Sequence, residues 1–358
     1  MNKINKSGAN IKRKKLEVIS KPTRTVLKLY GVGVFEVQFD KSGKLVRGVS
    51  SLGIFCIIFW IGTFYFSAIY ACVKDHTILR AYYETKLKHY GDAYERITSM
   101  MFFKTTLFKV AWHINGNVSF IQAILDIDKA LESHGVKADY KHKKTFILTL
   151  AQLIPVFLRG LTICATLWAI DAVIPYDRVY QLVLTDSVAL MVTTFYCHYL
   201  NLLTDRYKQI NEILTSVKEE AMAKVHIDAG IPIISENGYL KLENTRKADG
   251  CERIRLSCKV HSMLYKSTVA VNEVFGMILM LTLLLPLSYI ILNMFYFMEA
   301  TSAGLTHDIK RYMNFLLYIA WAVVYNVLAI FLNVYFSEST VAEVPTLVYK
   351  QILSAKRN

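Results

Sequence analysis

The sequence predicts an all-α membrane protein: a polytopic bundle of about six transmembrane helices with a cytosolic N-terminus. The first observation behind this is composition. Of the 358 residues 54% are apolar and only 20% are charged, and the mean hydropathy is +0.32, whereas the apolar share of a soluble domain is about 45–50%. The second is that charges gather in the N-terminal tail and between long apolar runs, the pattern of a chain that crosses a bilayer repeatedly. The third is that the basic residues fall mostly on one side of those crossings.

A crossing takes about 20 mostly apolar residues. Residues 49–73, 145–173, 179–203, 275–297 and 313–336 each meet that length and end in polar or charged positions. Residues 94–114 form a weaker sixth run, interrupted by Lys104 and Lys109. Met100, Met101, Phe102, Phe103, Leu107 and Phe108 fall around the two lysines at helical spacing, which lets their charges face the bundle or snorkel. With six crossings the tail, 115–144, 204–274 and the C-terminus share one side, and most of the 42 Lys and Arg residues lie there. The positive-inside rule makes that side cytosolic.

The chain thus divides into a basic cytosolic tail over 1–48, a helix bundle over 49–336 with cytosolic helical extensions around 204–274, and a cytosolic segment over 337–358. About nine of the +14 formal charges come from the tail, and a basic segment directly before a span fits anionic lipid rather than nucleic acid. No secretory signal opens the sequence, so the first span is expected to direct insertion. Between spans, 120–134 reads as an amphipathic helix, with Ile121, Ile124, Leu125, Ile127 and Leu131 beside Asp126, Asp128, Lys129 and Glu132. Residues 204–219 and 253–271 keep a helical period, and 221–250, with Gly, Pro232 and many charges, reads as a loop.

No Walker-type Gly-Lys-Ser, His-Glu-x-x-His, Gly-x-Ser-x-Gly or Cys-x-x-Cys occurs, so the reading is not an enzyme and carries no cofactor. Cys251, Cys258 and His261 make a poor metal set, because the gap of six residues between the cysteines is too wide and a fourth ligand is missing. The expectation is no metal. Asn117-Val118-Ser119 matches a glycosylation sequon but falls on the cytosolic side, where it is expected to stay unmodified.

Ionisable residues at bilayer depth are expensive and face partners or water-filled cavities. Arg159, Asp171 and Asp186 are of this kind. Counting about 1.5 Å per residue places Asp171 shallow and puts Arg159 within side-chain stretch of Asp186 on the next, antiparallel span. Such an ion pair either fixes helix packing or forms the polar wall of an outward ligand cavity. Candidate ligand contacts in the outer halves of the spans are Trp168, Asp171, Gln181, Asp186, Tyr289, Asn293, Tyr318 and Trp321, whose polar tips suit a small hydrogen-bonding ligand; for most of the aromatic residues, anchoring at the membrane interface is the competing role.

The run from Phe195 to Leu214, which includes Asn201-Leu202-Leu203-Thr204-Asp205-Arg206-Tyr207 and Ile210-Asn211-Glu212-Ile213-Leu214, resembles the fourth-span exit of the insect gustatory receptor family, within the seven-span superfamily shared with insect odorant receptors. Three further pieces fit in the same order: Ile124-Leu125-Asp126-Ile127-Asp128, the stretch from His261 through Asn272 to Phe275-Gly276, and Ser337-Glu338-Ser339-Thr340-Val341-Ala342-Glu343. The resemblance implies a multi-pass plasma-membrane taste receptor, a subunit of a homo- or hetero-tetrameric ligand-gated cation channel, with a small-molecule tastant and membrane lipid as partners and no nucleic acid. It also implies a seventh, pore-lining span with a Thr-Tyr and Gln-Phe signature, which does not follow Leu347-Val348-Tyr349 here, so independent conduction is not expected.

Competing readings are an insect odorant receptor, of the same topology, and a small-molecule secondary transporter, whose paired halves with matching broken helices are not matched here beyond Pro155 and Pro286 interrupting spans three and five. A G-protein-coupled receptor needs the opposite N-terminal orientation. The Tyr, Asn, Gln and Asp residues of the outer halves favour a hydrogen-bonding tastant over an apolar volatile.

Overall fold

The computed structural model describes residues 25–26, 28–32, 34–39, 45–83, 86–112, 114–133, 135–136, 142–228 and 247–343. A short antiparallel hairpin comes first, β1 (Phe35–Phe39) and β2 (Leu45–Val49), with Phe35 opposite Val49 and Val37 opposite Arg47. Nothing in the basic tail signalled it. Seven long helices follow among the described residues: α1 (Ser51–Val73), α2 (Lys86–Trp112), α3 (Ile114–Glu132), α4 (His142–Ala169), α5 (Tyr176–Asp228), α6 (Lys247–Ser302) and α7 (Ile309–Glu343). The chain is an all-α polytopic membrane protein.

Four of these helices, α1, α5, α6 and α7, contain stretches long and apolar enough to cross a bilayer. The apolar part of α4, Leu153–Ala169, is shorter, and α2, with its lysines, does not reach the same hydropathy. Helix α3 is the amphipathic element, begun six residues earlier than its sequence pattern suggested. Helix α5 runs on to Asp228 and α6 begins at Lys247, so 221–228 and 247–250 of the expected loop are helical, and 229–246 lies outside the described residues. Both α4 and α6 continue through their prolines, Pro155 and Pro286.

Local chemistry sets the boundaries. Ser50 closes the hairpin, its N–H donating to the Val34 carbonyl at 2.9 Å, and caps α1 by accepting from the Gly53 N–H at 3.3 Å. Asp308 caps α7 in the same way, accepting from the Arg311 N–H at 3.1 Å. Helices α1, α3 and α4 end in the paired hydrogen bonds of a Schellman motif, with Asp75, Gly135 and Asp171 in the left-handed position at φ 48, 83 and 55°. Asp171, read as a shallow residue of the span, therefore sits in the turn after α4, because the helix stops at Ala169.

The chain forms two compact units. The first holds residues 1–118, 140–198 and 273–335 and includes the apolar stretches of the helices. No side chain of α5 from Arg178 to Thr194 is exposed, so α5 is the internal helix of this unit. Its neighbours expose large apolar groups instead, Phe55 and Phe66 on α1, Leu287 and Ile291 on α6, Val324 and Phe331 on α7. Exposed apolar area on that scale requires lipid rather than water around it. One core cluster gathers Ile78, Leu79, Tyr82 and Tyr83 from the α1–α2 connection with Leu167, Leu182, Tyr296, Phe315 and Tyr318.

Two glycines permit close approaches. Gly31 adopts φ 72°, and a Cβ there would meet the Ile57 backbone Cα at 2.9 Å. A Cβ on Gly91 of α2 would overlap the Tyr296 hydroxyl and lie 2.7 Å from its ring carbon Cζ. Gly91→Ala is therefore expected to cost about 1–3 kcal/mol through overpacking. The thermal midpoint of the purified protein measures it, and the Gly91→Ala/Tyr296→Leu pair is expected to lose less than the two single changes added together.

The second unit holds residues 119–139, 199–272 and 336–358. Its core combines Phe120, Ile124, Ile127 and Leu131 of α3 with Tyr199, Leu203 and Ile210 of α5 and Val260 and Leu264 of α6.

Candidate functional site

A charged pair lies inside the first unit. Arg159 is ten residues before the end of α4 and Asp186 ten residues after the start of α5, so the two antiparallel helices carry them to equal depth, about 15 Å in. The Arg159 Nη1 donates to Asp186 Oδ2 at 2.7 Å, and the two side chains are 6% and 14% exposed. The guanidinium carbon also sits 4.8 Å from the centroid of the Tyr325 ring on α7, a cation–π contact that gives the buried cation a second partner. One carboxylate and one aromatic face thus hold a charge that would otherwise be prohibitive at this depth.

Beside this pair the unit encloses a cavity of about 40 Å³, walled by α2, α5, α6 and α7. Asp186 and Thr185 face it from α5, Tyr289 and Thr282 from α6, and Asn326 and Asn333 from α7, with Phe102, Leu190 and Tyr325 among the apolar walls. Most of the polar groups are already tied to neighbours. The Tyr289 hydroxyl is within 3.0 Å of Thr98 Oγ1 and 3.2 Å of Ser99 Oγ, and Asn326 Nδ2 donates to the Ala322 carbonyl at 2.8 Å. Asn333 Oδ1 is different: it is buried with no hydrogen-bond partner among the described residues. That acceptor, and the carboxylate of Asp186, are what the cavity offers to a guest. The volume holds a few waters, so a larger guest has to part the helices.

Of the sequence-chosen ligand residues, Asp186 and Tyr289 line this cavity and the others do not. Trp168 is 76% exposed on the outer surface of α4, where it suits an interfacial anchor. Asp171 is exposed, 3.5 Å from Lys310 Nζ. Gln181 is buried and accepts from Arg178 Nη1 at 3.0 Å. Asn293 Nδ2 donates to the Tyr289 carbonyl along α6. Tyr318 stacks on Tyr82 at 5.9 Å within the apolar cluster, and the indole Nε1 of Trp321 is buried without a partner among the described residues.

The sequence reading missed Thr282, Asn326 and Asn333 because it confined the search to the outer halves of the spans, and it passed over Thr185 beside the chosen Asp186. Asn326 lies roughly 25 Å from the start of α7. Its signal was present: Asn326 and Asn333 stand seven residues apart, on one face of an apolar span, and polar side chains in such a span turn inward. Arg178 was missed too. It is 2% exposed and pairs with Glu95 Oε2 of α2 at 3.0 Å, while its neighbour Asp177 meets His76 Nδ1 at 2.9 Å.

Among the described residues no group of three or more His, Cys, Asp or Glu side chains is placed to hold a metal ion. All six cysteines are free.

In the second unit, the short motifs quoted above meet one another. Arg206 of α5, 1% exposed, donates from Nε to Asp128 Oδ1 at 3.0 Å and from Nη2 to Asp128 Oδ2 at 3.1 Å. This is a two-pronged pair of the geometry that guanidinium and carboxylate favour. Next to it Phe120 packs on Tyr199 with ring centroids 4.4 Å apart, and Tyr207 meets the His261 ring of α6 edge-on at 5.7 Å. Three pieces of sequence, each degenerate alone, are the three sides of one buried polar joint.

A family model described as 7tm Chemosensory receptor matches residues 21–348 of the chain. No curated protein matches the chain. With the match covering most of the sequence, and with a bundle of apolar helices built around a buried ion pair, this chain belongs to the 7tm chemosensory receptor family.

Proposed function

We propose that the chain is a gustatory receptor subunit of a ligand-gated, non-selective cation channel. It acts in the plasma membrane, with its N-terminus and the 204–274 segment in the cytosol, and assembles as a tetramer with itself or related subunits. The observation that carries the taste reading over the odorant one is the polarity of the cavity wall. Asp186, Tyr289, Asn326 and Asn333 converge on it, and Asn333 Oδ1 has no hydrogen-bond partner among the described residues. A buried polar atom left unpaired penalises an apolar guest and rewards one that donates a hydrogen bond.

The basic cytosolic side supports the orientation, and the continuity of α4 and α6 through Pro155 and Pro286 argues for a receptor bundle over a transporter with broken helices. The cavity is too small for a tastant as it stands. Binding therefore does work on the helices, which is what gating requires, since a ligand shifts an equilibrium only through its different affinity for the two states.

The test is ligand-evoked current in cells expressing the chain, alone and joined to a seventh span from a related receptor, against a panel of polyhydroxylated and bitter compounds and a panel of volatile esters. Current evoked by the polar panel is the expected result. Current evoked only by the volatiles would move the chain to the odorant branch. No current from either form, with both at the cell surface, would overturn the channel reading.

A further inference from the structure

Helix α2 has its faces inverted. It packs between two apolar helices of the first unit. On one side the Phe103 ring stacks on Phe64 of α1 with centroids 4.2 Å apart. On the other, Thr98 Oγ1 lies 3.0 Å from the Tyr289 hydroxyl and Lys109 Nζ donates to Met277 Sδ at 3.6 Å, both partners on α6. These partners belong to the apolar stretches of α1 and α6, so α2 runs beside them through the bilayer. Its polar residues Asp92, Ser99 and Thr106 are buried, while Tyr94, Ile97, Met101 and Phe108 are exposed. Spaced three and four apart, the exposed residues form one stripe that faces lipid.

Lys104 interrupts that stripe. It keeps the same spacing, is exposed, and makes no ion pair or hydrogen bond among the described residues. Lys109 stands about 140° around the helix from it, so the two lysines flank the stripe, Lys109 on the α6 side. An ammonium facing hydrocarbon is costly and stretches toward the nearer membrane surface. Lys104 lies about 12 Å and Lys109 about 5 Å before the C-terminal end of α2, so both ammonium groups belong to the leaflet at that end.

The protein offers no counter-charge at this depth. No Asp or Glu occurs in α2 after Glu95, in α6 between Glu273 and Glu299, or in Ser51–Val73, Leu153–Ala169 and Ile309–Tyr335, and Asp186 of α5 is taken by Arg159. A second copy of the chain would bring the same carboxylate-free helices against the stripe. Lipid phosphate is the anion within reach. A zwitterionic headgroup carries its own cation, so two ammonium groups favour a headgroup with net negative charge. We propose that Lys104 and Lys109 bind the phosphate of an anionic phospholipid whose acyl chains lie along the Tyr94–Phe108 stripe. The site does not depend on the channel reading.

The test uses purified full-length protein in phosphatidylcholine nanodiscs containing a trace of one of two photoreactive probes, phosphatidylglycerol or phosphatidylcholine with the same diazirine-bearing acyl chain. Mass spectrometry reads the label on residues 94–108 and, as reference, on residues 324–331 of α7, whose Val324 and Phe331 also face lipid. The expected result is that phosphatidylglycerol labels the α2 stripe at least about fivefold more than phosphatidylcholine, with no such preference on α7. Lys104→Met is expected to lower the ratio to about twofold or less, and Lys104→Arg, which keeps the charge, to preserve it. Equal labelling of the stripe by the two probes, or an equal preference on α7, overturns the proposal on the unmodified protein even where a variant fails to fold. A stripe that neither probe labels while α7 is labelled would mean that protein covers it, and overturns the proposal too. So does a ratio that folded Lys104→Met leaves intact.

Discussion

Arg206→Met is expected to destabilise the protein by about 3–5 kcal/mol, because it removes the cationic partner of the buried Asp128 carboxylate. Asp128 is 4% exposed and takes two hydrogen bonds from the guanidinium, so losing them leaves charge that water cannot reach. The matching double variant, Asp128→Leu with Arg206→Met, is expected to recover most of the loss, since an apolar pair of similar volume is often as stable as a buried ion pair. Arg253→Met is the control. Its partner Glu220 is 44% exposed, and an exposed pair is worth roughly 0–1 kcal/mol. Thermal unfolding in detergent, with surface expression alongside, measures all three. A loss at Arg206 no larger than that at Arg253 would remove the joint as the structural reason for these motifs.

Asp186→Asn is the second change with a large expected effect. The amide keeps the shape and one acceptor oxygen but removes the negative charge that faces Arg159, leaving the buried guanidinium a neutral partner beside the Tyr325 ring, and the expected cost is up to about 3–5 kcal/mol. The double variant Arg159→Met/Asp186→Leu separates the two roles of the pair. If the pair only fixes helix packing, the double variant restores both stability and ligand response. With Asp186 also forming the cavity wall, stability is expected to return while the response to hydrogen-bonding ligands stays lost. Stability comes from unfolding in detergent and the response from whole-cell current.

Much of the fold was legible because apolar run length is a strong signal. The α1, α5, α6 and α7 stretches follow from it alone. The hairpin at Phe35–Phe39 and Leu45–Val49 was hidden in a tail whose charge dominated its reading. Asp171 was misplaced because hydropathy does not mark where a helix stops; the left-handed Asp after Ala169 does. The ion pair was accessible from helix geometry, since equal depth on antiparallel neighbours can be counted. The cavity was not, because pocket walls are assembled from helices distant in sequence. Trp168 and Asn333 illustrate both sides of this: an aromatic chosen for its outer position faces outward, and an asparagine passed over for its depth lines the cavity.

The most direct test of the account is the concentration dependence of current evoked by a polar ligand in the original protein and in Asn333→Leu, compared in the same cells. Asn333 Oδ1 is the cavity acceptor without a partner, so its loss is expected to raise the half-maximal concentration by about tenfold or more at unchanged surface level. An unchanged half-maximal concentration in a fully expressed Asn333→Leu protein would mean that ligand does not bind in this cavity, and would contradict the account at its centre.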